Sequence, residues 1–79
     1  MYTVEFEPRH SIIVSMDESD LFEDVEVGIY DNGTVQIRQF EDMMGDYNVV
    51  YISYQQLLDI FSAMSSTEGL FKVEMRRSR

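Results

Sequence analysis

Between Val25 and Phe40 the residues alternate in hydropathy on both sides of Asp31-Asn32-Gly33, and that alternation admits one hairpin register. Val25, Val27 and Ile29 alternate with Glu26, Gly28 and Tyr30; after the turn, Val35 and Ile37 alternate with Thr34, Gln36 and Arg38. A period of two marks strands with one buried face. A two-residue Asn32-Gly33 loop would set Val27 opposite Arg38 and Ile29 opposite Gln36, mixing the faces. A three-residue loop, Asp31-Asn32-Gly33, sets Ile29 opposite Val35, Val27 opposite Ile37 and Glu26 opposite Arg38. The last of these is a favourable cross-strand pair. Such a loop is a type I turn followed by one left-handed residue, and Gly33 supplies it because glycine lacks a Cβ.

The rest of the chain is arranged around this hairpin. Tyr2, Val4 and Phe6 alternate with Thr3, Glu5 and Glu7, which predicts a first strand over about 2–7. Pro8 ends it or sits at a sheet edge, since proline cannot donate to a ladder. Arg9-His10 reads as a turn, and Ile12 to Met16 as a second strand paired to the first. Asp17 to Asp24 is an acidic connection in which Leu21 and Phe22 are expected to pin the loop to the body. Glu41 to Asp46 is a second acidic connection, and Tyr47 to Ile52 a fifth strand.

Ser53-Tyr54-Gln55-Gln56 fits a capping box, with Ser53 as N-cap and Gln56 at N3; Ile52 and Leu57 form the matching hydrophobic staple. Tyr54, Leu57, Leu58, Ile60, Phe61 and Met64 then fall within an arc of about 160° on a helical wheel. The helix is expected from 54 to about 67, with Gly69 at C′ and Leu70 folding back onto Met64. Leu70 to Met75 alternates again, as a sixth strand. The fold class is therefore α+β: an antiparallel sheet of five to six strands, in the order β-β-β-β-β-α-β, with one amphipathic helix packed on one face. Residues 1–75 form a single domain and 76–79 a basic tail.

Charge bounds the function. Fifteen acids face six bases, a net of −9, and Arg76, Arg77 and Arg79 lie in the last four residues. Residues 1–75 carry a net of −12. That field repels nucleic acid and anionic membranes and attracts basic surfaces. No run is long enough to span a membrane, and the N-terminal stretch lacks the pattern of a signal peptide. The absence of cysteine excludes disulfides and thiolate chemistry. A cytoplasmic location is the simplest expectation.

No enzymatic constellation stands out. His10 is the single histidine, read as an exposed turn residue, and catalysis or zinc binding would need companions. The acidic clusters lack the spacing and central glycine of an EF-hand loop. No phosphate-cradling glycine loop occurs, and no cofactor or metal is expected. Met43-Met44, adjacent within an acidic loop, suits either a partner contact or packing beneath the loop.

The expected role is that of a small protein-binding inhibitor. Its candidate contact residues are Asp17, Glu18, Asp20, Glu23 and Asp24 in one band, and Glu41, Asp42, Met43, Met44 and Asp46 in the other. If the two bands share a face, they can imitate a phosphate backbone and occupy the basic surface of a nucleic-acid-binding enzyme. In size, charge and layout the chain resembles the small acidic inhibitors that phages make against host defence, such as anti-CRISPR and DNA-mimic proteins. That resemblance implies action in a host cytoplasm, as a monomer or homodimer, without direct contact to nucleic acid. Alternatives are an immunity protein or antitoxin, and a homo-oligomeric assembly protein joined through strand edges or tail-to-body ion pairs.

Overall fold

The computed structural model describes residues 1–65. They form a five-stranded antiparallel sheet followed by one helix: β1 (Tyr2–Phe6), β2 (His10–Ser15), β3 (Val25–Tyr30), β4 (Thr34–Glu41), β5 (Asp46–Ser53) and α1 (Tyr54–Met64). The spatial order of the strands is their order in the chain, an α+β meander in which every neighbour is antiparallel. The sixth strand over 70–75, the Gly69 cap with its Leu70 contact, and the basic tail lie outside the described residues.

The central hairpin has the register that the alternation dictates. Val27 pairs with Ile37, Ile29 with Val35 and Glu26 with Arg38. Gly33 adopts φ +89°, in the left-handed region, and its amide donates to the Tyr30 carbonyl at 3.0 Å. The Asn32 side chain accepts from the Thr34 amide, fixing the exit from the turn.

The first hairpin closes more tightly than expected. His10 belongs to β2 and is not an exposed turn residue. The Glu7 amide donates to the His10 carbonyl at 2.8 Å, which leaves Pro8 and Arg9 alone as the loop. Pairing with Tyr30 extends the strand to His10, whose ring stacks on that of Tyr30 at a centroid distance of 5.3 Å. Gly28 allows this: a Cβ there would stand 3.1 Å from the Tyr30 ring.

Alternation across all five strands gives the sheet two chemically different faces. One carries the register row Val4, Ile13, Val27, Ile37, Val50 and, beside it, Phe6, Ser11, Ile29, Val35, Ile52. The other carries Glu26 and Arg38, joined at 2.8 Å, with the Arg38 guanidinium 4.4 Å from the centroid of Tyr47 and Phe40 edge-on to the same ring. The Glu26 carboxylate holds the Arg38 pKa above its ordinary value. On this face Gln36 donates to the Tyr51 hydroxyl.

Helix α1 begins at the predicted capping box. Ser53 Oγ accepts from the Gln56 amide and the Gln56 side chain accepts from the Ser53 amide. Its first amide, that of Tyr54, donates to the Gly33 carbonyl at 2.8 Å, which ties the helix start to the central turn. The helix ends at Met64 with Ser65 as C-cap, three residues before the expected end; the Ser65 hydroxyl and amide both return to the Phe61 carbonyl. Its neighbours are β4 and β5, and Leu58, Ile60, Phe61 and Met64 remain exposed. Among the described residues Val35 is the one fully buried apolar side chain.

Candidate functional site

A meander sends alternate connections to opposite ends of the sheet. The β2–β3 and β4–β5 connections therefore emerge at the same end, and these are the two acidic segments. Two strand spacings separate them, about 10 Å. The Gln39 side chain, near the end of β4, donates to the Glu23 carbonyl and holds the first segment against the second hairpin. Eight of the fifteen acids stand at this end: Asp17, Glu18, Asp20, Glu23, Asp24, Glu41, Asp42 and Asp46. Among the described residues the two arginines lie elsewhere: Arg9 in the turn at the opposite end, Arg38 on the sheet paired to Glu26.

The eight carboxylates are not equivalent. Asp17 organises its own loop. Its Oδ2 accepts from the Ser19 hydroxyl at 2.6 Å and from the Leu21 and Phe22 amides at 2.9 Å each, and its Oδ1 from the Ser19 amide. These bonds, led by that of the Ser19 hydroxyl, hold its pKa below the ordinary carboxylate value. Glu18 pairs with the Met1 ammonium at 2.7 Å, and that bond lowers its pKa in turn. Glu41 and Asp46 accept from the amides of Met43 and Tyr47 in the second turn. Gly45, with φ +69°, closes that turn by donating to the Glu41 carbonyl. Among the described residues, no hydrogen bond or ion pair engages the carboxylates of Asp20, Glu23, Asp24 and Asp42, and all four residues are exposed.

Leu21 and Phe22 do not pin the loop to the body, as the sequence suggests; they are 79% and 70% exposed. The cause is Asp17. By drawing both amides toward its carboxylate it turns the backbone inward, and Asp20 takes a positive φ of 62° to permit it. The two side chains are left facing solvent. Met43 and Met44 are exposed as well, at 92% and 78%, so they do not tuck beneath the second loop. Four large apolar side chains thus stand among the acids at one end of the sheet. Leu21 and Phe22 are contact candidates that sequence reasoning missed; the signal was an Asp four and five residues before two consecutive apolar residues.

The remaining chemistry is sparse. A cavity of about 170 Å³ on the polar face is lined by Ile12, Glu26, Gly28, Tyr30, Gln36 and Arg38. Among the described residues no group of three or more His, Asp or Glu side chains converges as metal ligands would. No helix there is long and apolar enough to cross a membrane.

The chain belongs to the family described as Domain of unknown function (DUF8831), whose model matches residues 3–63. No curated protein and no solved structure matches it.

Proposed function

We propose that this domain is a protein-binding inhibitor whose acidic end occupies a basic, nucleic-acid-binding surface in the cytoplasm. One observation carries the reading: the two acidic connections leave the sheet at the same end, with Leu21, Phe22, Met43 and Met44 exposed between the carboxylates. The division of labour suits an interface. Asp17 and Glu18 shape the first loop, while Asp20, Glu23, Asp24 and Asp42 supply charge that the described part of the domain leaves uncompensated. Two acidic connections about 10 Å apart are spaced comparably with the ~12 Å major groove that separates phosphate rows in DNA. Charge of this kind steers encounter and sets specificity, and apolar anchors at the centre of a contact hold it once formed.

The test is affinity capture from a host lysate with the wild-type chain and with the triple variant Glu23→Lys, Asp24→Lys, Asp42→Lys. The wild type is expected to retain a basic nucleic-acid-binding protein at low salt, to release it at high salt, and to lose it to competing DNA or RNA. The triple variant should fold and retain nothing. Equal capture by both chains, or capture indifferent to salt, would remove the proposal.

A further inference from the structure

We infer that the apolar face of the sheet is a dimer interface, closed by the same face of a second copy. The register row Val4, Ile13, Val27, Ile37, Val50 runs across all five strands with one β-branched residue from each. At its two ends Val4 is 40% and Val50 55% exposed, and in the flanking rows Phe6 is 79% and Tyr2 70% exposed. An antiparallel sheet reaches stability by covering one face with a second layer. Among the described residues the central positions Ile13, Val27 and Ile37 are half-buried and Val35 alone is fully buried, which is too little for a core.

Charge identifies the occupant. The three central register rows hold fifteen side chains, and none of them is charged. In a chain with 27% charged residues, fifteen positions drawn at random would carry about four charges. Acids stand only at the margins of the face: the Glu41–Asp46 pair where the strands reach the acidic end, and Asp31 beside Ile29 at the other. A basic partner gains nothing from such a surface. A surface equally apolar does, and the same face of a second copy is one. Same-face association is isologous and closes with two copies. A two-fold axis across the strands would put the acidic ends at opposite poles, so copies of net −9 could meet with little repulsion.

Area allows it. Five strands about 4.8 Å apart and six residues of about 3.3 Å each make a face of roughly 24 by 20 Å. Two such faces remove about 1,000 Å² before side-chain relief is counted, the size of a weak, concentration-dependent interface. Sheets stacked about 10 Å apart would form a β-sandwich shared between copies.

The test is sedimentation of the full 79-residue chain across a wide concentration range. The wild type is expected near twice 9.3 kDa. Val50→Glu, at an exposed position on the face, should raise the dimer dissociation constant at least about tenfold by burying an unpaired charge in each copy. Val49→Glu, on the opposite face, should leave the dimer intact. Should Val50→Glu fail to fold, a nitroxide on Ser11→Cys serves instead. It should show spin–spin coupling between copies that unlabelled chain dilutes away, and a label on Glu5→Cys should show less. A wild-type monomer at every concentration would overturn the inference and assign the cover to residues 66–79 or to another protein. A dimer indifferent to Val50→Glu, or uncoupled Ser11 labels, would overturn it equally.

Discussion

At the scale of single residues, Asp17 has the largest consequence for its size. One carboxylate satisfies three backbone amides and a hydroxyl, and so decides which way Leu21 and Phe22 face. Its pKa is lowered by folding, so the unfolded chain binds more protons between the folded and unfolded values. The stability it contributes is complete above the unfolded value and is lost as pH falls through the folded one. Asp17→Asn should therefore unfold at lower urea than the wild type at neutral pH, and the gap should close as pH drops below about 4. A gap constant with pH would mean that the carboxylate charge is not what holds the loop. The amides of Leu21 and Phe22 should exchange faster in the variant.

At the scale of elements, local rules decide most of what is seen. The central hairpin, its glycine bulge and the capping box of α1 all follow from residues within a few positions of one another. The helix has 11 residues, no acid in its first turn and no basic residue in its last, so the macrodipole receives no help from charge. The cap carries correspondingly more. Ser53→Ala should destabilise the domain by about 1 kcal/mol, measured by chemical denaturation, with loss of helical ellipticity preceding loss of the sheet signal. A change of no more than a few tenths of a kcal/mol would show that tertiary contacts, and not the cap, hold the helix start. His10 shows the limit of local reading. Arg9-His10 resembles a turn beside Pro8, yet pairing with Tyr30 on β3 draws His10 into the ladder.

At the scale of the whole molecule, the two proposed contacts use surfaces of opposite character, and salt separates them. Binding of the acidic end to a basic protein should weaken as ionic strength rises, because screening removes the attraction. Association of two acidic copies through an uncharged face should tighten under the same change, because screening removes their repulsion. Titrating salt from about 0.01 to 1 M, where the screening length falls from about 30 to 3 Å, and following both equilibria should give slopes of opposite sign. Slopes of the same sign would merge the two surfaces into one interaction.

The sequence by itself determined the α+β class, the register of β3 against β4, the turn type and the start of the helix. Each rests on period-two alternation, a missing Cβ or a side chain reaching three residues along, and these act at short range. It also supplied eight acidic candidates and the Met43-Met44 pair. Only the tertiary structure decided that the two acidic connections share one end, since that depends on the meander order of the strands and not on either loop. It likewise decided that Asp17 and Glu18 are engaged while, among the described residues, Asp20, Glu23, Asp24 and Asp42 are open, and that Leu21 and Phe22 face outward. Hydrophobicity says that a side chain gains from burial; whether a surface is there to bury it is set by the elements that fold beside it.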